Sequence, residues 1–472
     1  MELRSVLLLR VSSAVDKVDH PQFFDPPYQL KYMQAGLHAR APELVIHMQD
    51  CWVQPRDVAQ LLTDIARLRP DLLVVSASSF DLDVANTLVR TLKTQAQAPV
   101  VLGVGQGHYL HQDTTVPYDM GYDAILLGEP EQEFFRLVDW LRHSDPTDAS
   151  WQAYYRACYA DGRRFTVDDP DCLPFPSYTA AELQAYKSIF PVRLNQPAVW
   201  GFLTATRGCP YSCTFCSEVM RVSTGTKLRS RSAANVADEM AHLAQHGVNV
   251  CSFQDDDFTA NRHFVRALCA ELLARHSTMR WMARGRVDEV DYELLALMRQ
   301  AGCVLLGFGV EAGSQRIIDA MHKTFRPKPW AQLCRQTFRW AQELGIGTHA
   351  YYVIGNPTET HAEIEQTITL ALELNADTIQ VHFHTPYPGS IAWEQSKEQL
   401  GAYDLTQMFH YATPMFSMAQ VPVTELVQLR AQFYRRYLRR PRFAVQHLWR
   451  YAGFYWHNTD VFWNLLGVRK IL

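Results

Sequence analysis

The sequence predicts two consecutive α/β domains with parallel sheets, followed by a mostly helical segment. Short apolar runs alternate with helical patterns between residues 5 and 383 of the 472, an order typical of parallel sheets that carry helices on both faces. A stretch with several prolines and aromatic residues interrupts this alternation. We therefore predict a doubly wound, Rossmann-like domain at 1–145, a linker at 146–196, a second α/β domain at 197–395 and a helical region at 396–472.

The first domain is predicted to contain five strands and four helices. The strands are assigned to Ser5–Val11, Leu44–Met48, Asp71–Ser76, Pro99–Gly103 and Asp123–Leu127. The helices are assigned to Pro27–Arg40, Asp57–Arg69, Leu82–Thr94 and Glu131–Arg142. Sheets of this kind bind ligands at the carboxyl ends of their strands.

Small or polar residues occupy the loops that follow three of these strands. They are Ser78, Ser79, Gly103, Gly105, Gly107, Gly128 and Glu129. Glycine lets a backbone approach a large flat ligand closely, but it also forms tight strand-to-helix turns, and the glycines alone favour the turns. The Gly-x-Gly-x-x-Gly fingerprint is missing after the first strand, which disfavours dinucleotide binding.

The second domain is predicted to consist of six β/α units. Its strands are assigned to Gly201–Thr206, Val248–Gln254, Arg280–Arg284, Val304–Val310, Thr348–Ile354 and Thr378–Phe383. Its helices are assigned to Ala233–His246, Arg262–His276, Glu293–Ala301, Gln315–Met321, Trp330–Leu344 and His361–Leu374. In barrels built from such units, the active-site residues lie at the carboxyl ends of the strands.

Three cysteines follow the first strand of this second domain. Cys209, Cys213 and Cys216 are separated by three and then two residues, so their thiolates can hold three irons of a cubane cluster and leave the fourth open. Structural zinc needs four ligands, usually from two short-spaced pairs, and the chain has no second Cys-x-x-Cys pair. The remaining cysteines are isolated, which argues against a disulfide framework and a second cluster.

The spacing Cys-x-x-x-Cys-x-x-Cys, with Phe215 before the last cysteine, resembles the radical S-adenosylmethionine (SAM) superfamily. The resemblance implies a partial (β/α)6 barrel and a [4Fe–4S] cluster on Cys209, Cys213 and Cys216. It also implies that the open iron chelates SAM, which is cleaved reductively to methionine and a 5′-deoxyadenosyl radical. The protein then positions that radical and excludes competing reactions.

An α/β domain that ends in Gly128-Glu129-Pro130-Glu131 and precedes such a cysteine motif resembles the cobalamin-dependent radical SAM family, the class B methylases and their relatives. The resemblance implies a cobalamin-binding-type first domain, with cobalamin on the loops that carry Ser78, Ser79, Gly103, Gly105, Gly107, Gly128 and Glu129. The Asp-x-His-x-x-Gly motif that supplies a histidine to cobalt in other cobalamin proteins does not occur here.

Polar residues at the predicted strand ends are the candidate SAM contacts. By resemblance they are Phe215, Asp256, Arg286, Gly309, Glu311, Ser314 and Asn356. Glu311 is the preferred acceptor, because a carboxylate at a strand end can bind a ribose diol or an ammonium group. For Arg286 the alternatives are the SAM carboxylate, a substrate anion or a structural salt bridge. Asp255–Asp257 are assigned to helix capping and cofactor contacts rather than to a hard cation, so no metal beyond the cluster is predicted.

Residues 424–450 interleave arginines with apolar residues spaced three and four apart. This pattern predicts an amphipathic helix with a break at Pro441. Its basic face is interpreted as solvated, on a helix packed against the barrel. The alternatives are a cap over an anionic substrate and peripheral contact with an anionic membrane.

Composition narrows the classes of partner and location. The formal charge of −4 predicts no attraction to nucleic acid, and no stretch approaches the roughly 18 apolar residues of a membrane span. The first ten residues are too weakly apolar for a signal peptide, so we expect a cytoplasmic protein. The expected partners are a small-molecule substrate and an external electron donor such as flavodoxin or ferredoxin.

Three functional hypotheses follow. The leading one is a cobalamin-dependent radical SAM enzyme that methylates an unactivated carbon or a phosphinate centre of a small-molecule intermediate. The second keeps the architecture but performs 3-amino-3-carboxypropyl transfer from SAM, or a cyclase-type oxidative rearrangement. The third is a cobalamin or iron–sulfur sensor, against which the polar residues at the strand ends argue. The sequence assigns no catalytic residue.

Overall fold

A computed structural model describes most of the chain. It covers residues 3–13, 25–78, 81–105, 107–108, 115–144, 148–188, 190–192, 194, 196–216, 226–324, 329–387, 390–400 and 413–457. Ser79, one of the predicted cobalamin contacts, lies outside the described residues.

The first sheet has five parallel strands in the order β2-β1-β3-β4-β5. They are β1 (Ser5–Arg10), β2 (Val45–Asp50), β3 (Leu72–Ser76), β4 (Val100–Val104) and β5 (Ala124–Leu126). The accompanying helices are α1 (Tyr28–Arg40), α2 (Val58–Leu68), α3 (Leu82–Leu92), α4 (Val116–Asp119) and α5 (Glu131–His143). The predicted doubly wound, Rossmann-like fold is confirmed.

Side-chain alternation along β1 explains why helices cover both faces of this sheet. Val6 and Leu8 belong to one buried cluster and Leu7 and Leu9 to another, because successive residues of a strand point to opposite faces. The first cluster takes residues from α1 and α5, and the second from α2 and α3. A strand buried on both faces reads as a continuous apolar run.

The second sheet has six parallel strands in the order β13-β12-β11-β10-β9-β6. They are β6 (Trp200–Leu203), β9 (Val250–Phe253), β10 (Arg280–Gly285), β11 (Cys303–Glu311), β12 (Gly347–Ile354) and β13 (Thr378–Phe383), and a small antiparallel pair is formed by β7 (Thr206–Arg207) and β8 (Arg229–Ser230). The helices between them are α8 (Ala233–Gln245), α9 (Arg262–Ala274), α10 (Tyr292–Gln300), α11 (Gln315–Ala320), α12 (Trp330–Glu343) and α13 (His361–Leu374). The predicted (β/α)6 partial barrel is confirmed.

Two further helices lie in the stretch assigned to a linker. They are α6 (Ser150–Ala160) and α7 (Ala180–Ala185). Trp151, Tyr155 and Cys158 of α6 are buried in the core of the first domain, so that core continues past residue 145. The sequence analysis missed α6 because its aromatic residues were read as linker composition.

Helices also form the C-terminal region, as predicted. They are α14 (Ile391–Leu400), α15 (Val423–Leu438) and α16, which begins at the predicted break and spans Pro441–His457. The buried residues Leu426, Leu429, Phe433 and Tyr437 attach α15 to the barrel. Within the described residues, no helix is long and apolar enough to cross a membrane.

Candidate active site

The three cysteines lie together on the loop after β7. Cys213 is buried, while Cys209 and Cys216 are half-buried, and the Cys216 N–H donates to the carbonyl of Cys213 at 3.2 Å. Burial, with smaller contributions from the neighbouring Asp257 and Cys213, raises the pKa of the Cys209 thiol to about 12. Thiolates crowded in this way require a cationic partner, which an iron cluster supplies.

The chemistry of this donor set fits a cluster. Within the described residues, no three His, Cys, Asp or Glu side chains are grouped so that they could hold a single metal ion. A cubane is held differently, because each thiolate binds its own iron. Phe215 is half-buried and packs against the barrel core beside Cys216, so the aromatic position of the motif helps to fix the loop.

Asp255 and Asp256 hold the chain that leads into the cysteine loop. Asp255 accepts hydrogen bonds from the N–H of Ala205 at 3.1 Å and from the Thr206 hydroxyl at 2.7 Å, and burial raises its pKa to about 6. Asp256 accepts from the N–H of Gly208 at 3.3 Å. Their carboxylates therefore fix the backbone directly before Cys209.

Of Asp255–Asp257, Asp257 takes the N-cap position of a short 3-10 helix at Phe258–Ala260, but its carboxylate makes no capping hydrogen bond; contact of these residues with a cofactor stays a prediction. The side chain that caps α9 is that of Asn261, which accepts from the N–H of Phe264 at 3.1 Å. Asp257 is buried beside Glu289, and burial together with that second carboxyl raises the pKa of Asp257 well above its usual range.

Glu311 turns back over Gly309 at the end of β11. Its φ is +63°, its carboxylate lies 2.7 Å from the Lys323 ammonium, and a Cβ on Gly309 would meet Glu311 Oε1 at 2.3 Å. Glycine at 309 is therefore needed to leave room for this carboxylate. The structure brings Gly309 and Glu311 together as the sequence predicts, and Lys323 is a partner that the sequence analysis missed.

The side chains of Ser314 and Asn356 form hydrogen bonds with other residues of the protein. Ser314 caps α11 by accepting from the N–H of Ile317, and its hydroxyl donates to Glu363 at 2.9 Å. The Asn356 amide donates to the carbonyl of Val353 at 2.9 Å and to Glu359 at 3.1 Å. Both residues lie near the strand ends, but these contacts give them structural roles, and their contact with SAM stays a prediction.

Arg286 lies directly beside the cysteine loop. It forms an ion pair with Asp288 at 3.0 Å, lies 3.9 Å from the sulfur of Cys213 and stacks on the Tyr211 ring at 3.7 Å. Of the three alternatives for this residue, the contacts support a structural salt bridge. Because Arg286 lies next to Cys213, its positive charge is also close to the three cysteine thiols.

The glycines of the first domain contact the protein's own backbone. Gly105 has a φ of +93°, and a Cβ there would lie 2.7 Å from the Ala77 carbonyl oxygen. A Cβ on Gly107 would lie 2.5 Å from the Ser78 carbonyl oxygen, and one on Gly103 would lie 2.4 Å from Ile125. Gly105 and Gly107 thus allow the loops after β3 and β4 to pack backbone against backbone, which agrees with the tight-turn interpretation, whereas Gly103 lies within β4 and packs against side chains.

These loops lie side by side at the carboxyl edge of the first sheet. The Ser78 hydroxyl donates to the Asp81 carboxylate at 2.5 Å, so it lies flat along the loop. Gly128 has a φ of +91° and bridges Phe165, whose carbonyl oxygen leaves no room for a Cβ. A surface of this kind fits a flat macrocycle, although no side chain of the set is aimed at one.

Four buried charges join the end of β5 to the strands that flank the cysteine loop. Glu129 pairs with Arg229 at 2.6 Å and with Arg207 at 3.3 Å, and Glu131 pairs with Arg207 at 2.9 Å. We call these four residues the interdomain ion cluster. The Glu129 carboxylate, predicted to contact cobalamin, is occupied by these arginines and by the N–H of Val167 at 2.7 Å.

The interdomain ion cluster was not predicted. The Gly-Glu-Pro-Glu sequence drew attention to Glu129 and Glu131. No motif near Arg207 or Arg229 indicated that these two arginines contact the first domain. Since Arg207 is two residues before Cys209, the cluster holds the cysteine loop at the carboxyl edge of the first sheet.

Residues 203–371 match the Radical SAM superfamily, and this range contains the cysteine loop and the strand ends described above. This segment is a radical SAM domain. The protein is therefore an enzyme, and a [4Fe–4S] cluster and SAM are its cofactors. The domain begins at the last residue of β6 and includes β7–β12, which argues against the sensor alternative.

The similarity to known proteins extends over both domains. The chain is 24% identical to an uncharacterized methyltransferase of Pyrococcus horikoshii, covering 91% of each chain. It is 25% identical to the anaerobic magnesium-protoporphyrin IX monomethyl ester cyclase of Cereibacter sphaeroides, covering 91% of this chain and 69% of that one. The methyltransferase TsrM of Kitasatospora setae, solved with cobalamin and a [4Fe–4S] cluster, has the same fold with a TM-score of 0.61 at 18% identity, over 85% of this chain and 76% of that one.

Proposed function

We propose that this radical SAM enzyme is a cobalamin-dependent methyltransferase that acts on a small molecule. The observation that carries the proposal is the interdomain ion cluster, because it holds the loop after β5 against the loop of Cys209, Cys213 and Cys216. Loops at the carboxyl edge of the first sheet would hold cobalamin, and the adjoining cysteine loop would hold the cluster that binds SAM. Similarity to methyltransferases of Pyrococcus and Kitasatospora supports methyl transfer.

The residues of the chain have distinct tasks in this proposal. Cys209, Cys213 and Cys216 would hold the cluster, which supplies the electron for SAM cleavage when it is bound, while cobalamin supplies the methyl group. Asp255 fixes the backbone before the loop, and Glu311 offers a carboxylate to SAM while Lys323 balances its charge. The surrounding apolar core keeps water from the radical.

A second candidate is a non-methylating radical SAM enzyme of the same architecture. The 25% identity to a magnesium-protoporphyrin ester cyclase over 91% of this chain favours it. The SAM-derived products separate the candidates, because methyl transfer leaves S-adenosylhomocysteine, whereas aminocarboxypropyl transfer leaves 5′-methylthioadenosine. For the leading candidate we propose an unactivated carbon or a phosphinate centre as the methyl acceptor.

We also propose a cytoplasmic location and an external electron donor, such as flavodoxin or ferredoxin. Buried cysteines such as Cys51, Cys158 and Cys251 form no disulfide, which suits a reducing compartment. The separate donor protein would deliver the electron that the cluster passes to SAM.

The C-terminal helix α16 exposes large apolar side chains, and we propose that it contacts an anionic membrane surface. Trp449 is 84% exposed, Trp456 is 81% exposed and Val445 is 68% exposed. On the preceding helix, Arg435 and Arg439 form no ion pair within the described residues, whereas Arg436 pairs with Glu365 at 2.6 Å. Exposed tryptophans next to unpaired arginines are typical of helices that lie in a membrane interface.

Replacing Trp449 and Trp456 together with serine is expected to weaken binding to vesicles containing phosphatidylglycerol by about tenfold or more. Removing two large apolar side chains costs at least about 1.4 kcal/mol of interfacial binding, which is one decade in affinity. Flotation of protein with vesicles measures the effect. The control Tyr292→Ser removes an aromatic residue that is 44% exposed on α10 and should leave binding unchanged. Equal flotation of wild type and the double variant would refute membrane contact through α16.

A further inference from the structure

Arg284 lies at the carboxyl end of β10, where the two domains meet. The residue is half-buried, so part of its surface borders accessible space, although the surrounding protein desolvates its guanidinium. Asp25 and Tyr28, from the start of α1, are its charged and polar neighbours on the side of the first domain. Arg284 therefore lies between the edge proposed for cobalamin and the edge proposed for SAM.

The carboxylates near Arg284 act on it from beyond ion-pair distance, since Asp25 and Asp255 raise its pKa although burial lowers it. Arg284 Nη2 donates to Gln254 Oε1 at 2.7 Å, and the Tyr351 hydroxyl is its other hydrogen-bonding neighbour. Among the described residues, no carboxylate forms an ion pair with it. A guanidinium has five N–H donors, and burying a charge without a counter-ion is costly.

The other enclosed arginines of this region differ from Arg284. Arg286 pairs with Asp288, Arg207 with Glu131 and Arg229 with Glu129. Asp25 forms no such ion pair with Arg284, and burial raises the pKa of the Asp25 carboxyl although the nearby Arg284 and Arg10 lower it.

The side chains of Arg284 and Tyr351 lie over Gly307, where a larger residue would displace them. Gly307 is the register partner of Arg284 on β11, and a Cβ there would lie 3.3 Å from Arg284 Cγ and 3.0 Å from the Tyr351 ring. On β12, the register partner of Gly307 is His349. Since Tyr352 faces Phe433 of α15 on the outside of the sheet, Tyr351 and His349 share the inner face with Arg284.

His349 offers a second polar atom to this space. Its Nδ1 lies 2.7 Å from the Thr378 hydroxyl. Its buried Nε2 meets no partner at hydrogen-bonding geometry among the described residues, although the Gln380 side chain lies near the ring and raises its pKa. Burial lowers the pKa of His349 to about 3, so the ring is neutral. With Nδ1 accepting from Thr378, Nε2 carries the proton and can donate it in a hydrogen bond.

We propose that Arg284, Tyr351 and His349 bind an oxyanion of the substrate, either a carboxylate or a phosphoryl group. This assignment rests on the proposed function, because it is the methyl acceptor that would lie between the two cofactor edges. Arg284 would pair with the anion in a fork of two hydrogen bonds, and His349 and Tyr351 would donate to its remaining oxygens. The substrate class is thereby narrowed to small acidic molecules.

The test is anion binding to the cluster-loaded protein without SAM, measured by calorimetric titration with inorganic phosphate and, separately, with acetate. Wild type should bind at least one of them, and the anion bound shows which kind of group the site takes. Arg284→Gln should weaken that binding about ten- to one-hundredfold, the equivalent of a charge-assisted hydrogen bond. The matched control Arg280→Gln changes an exposed arginine of the same strand and should bind like wild type.

Two further measurements keep the outcome interpretable. Arg284→Lys retains the positive charge and should bind the anion better than Arg284→Gln. The lysine variant therefore still tests the anion site if the glutamine variant fails to fold. SAM affinity should change less than about threefold in both variants. Absence of anion binding in wild type, or an equal loss of SAM affinity in the variants, would overturn the assignment. If methyl transfer itself is disproved by the products of SAM, the titration still reports on the anion site.

Discussion

Replacing Cys213 with alanine is expected to abolish iron binding and reductive SAM cleavage together. Cys213 is the buried member of the three cysteines, and it lies between the other two in sequence, 3.9 Å from Arg286. Two thiolates cannot hold three irons of a cubane, so the cluster should not assemble. Iron and sulfide content, together with 5′-deoxyadenosine formation after reduction, measure the effect, and both should fall to background.

The matched control for this variant is Cys172→Ala. Cys172 is an exposed thiol remote in sequence from the loop, so its removal should change neither the iron content nor SAM cleavage. Full iron loading of the Cys213 variant would show that the loop does not hold the cluster. Loss of iron in both variants would mean that iron binding is not specific to the loop.

Replacing Glu129 with glutamine is expected to lower the stability of the folded protein by about 3–5 kcal/mol, because it leaves a buried arginine without its charge partner. Glu129 is 1% exposed and accepts from Arg229 at 2.6 and 2.8 Å. The amide of glutamine cannot accept both of these bonds. Denaturant unfolding of the apoprotein measures the change, and cluster loading should fall with it because Arg207 precedes Cys209.

Arg136→Gln is the control for the Glu129 variant. Arg136 pairs with Glu133 at 3.0 Å, but its side chain is 74% exposed, so the change in stability should stay below about 1 kcal/mol. Equal effects of the two substitutions would contradict a buried ion cluster between the domains. A large loss of stability without any loss of iron would show that the cluster stabilises the domains but does not position the cysteine loop.

The strands could be predicted because each is an apolar run of the right length between turn signals. Val6, Leu7, Leu8 and Leu9 form such a run, and all four are completely buried. Helix α6 was missed because its pattern, with Trp151 and Tyr155 four residues apart, followed a proline and was read as linker. Composition alone does not show whether aromatic residues extend a core.

Residues of the candidate site could be predicted only where they belong to a local sequence motif. The cysteine spacing is such a motif, and so is the Gly309–Glu311 stretch, where the glycine makes room for the carboxylate. Pairs such as Glu129 with Arg229 join residues 100 positions apart, and no local pattern marks them. That Arg284 has no ion-pair partner among the described residues is likewise visible only when its neighbours in space are known.

The measurement that tests the central claim most directly is the identity of the SAM-derived products. The protein is reconstituted without oxygen with iron, sulfide and hydroxocobalamin, freed of unbound cofactor, and given reductant and SAM before mass spectrometry. The account predicts retained cobalamin with both 5′-deoxyadenosine and S-adenosylhomocysteine. Formation of 5′-methylthioadenosine instead, or no retained cobalamin, would contradict a cobalamin-dependent methyltransferase.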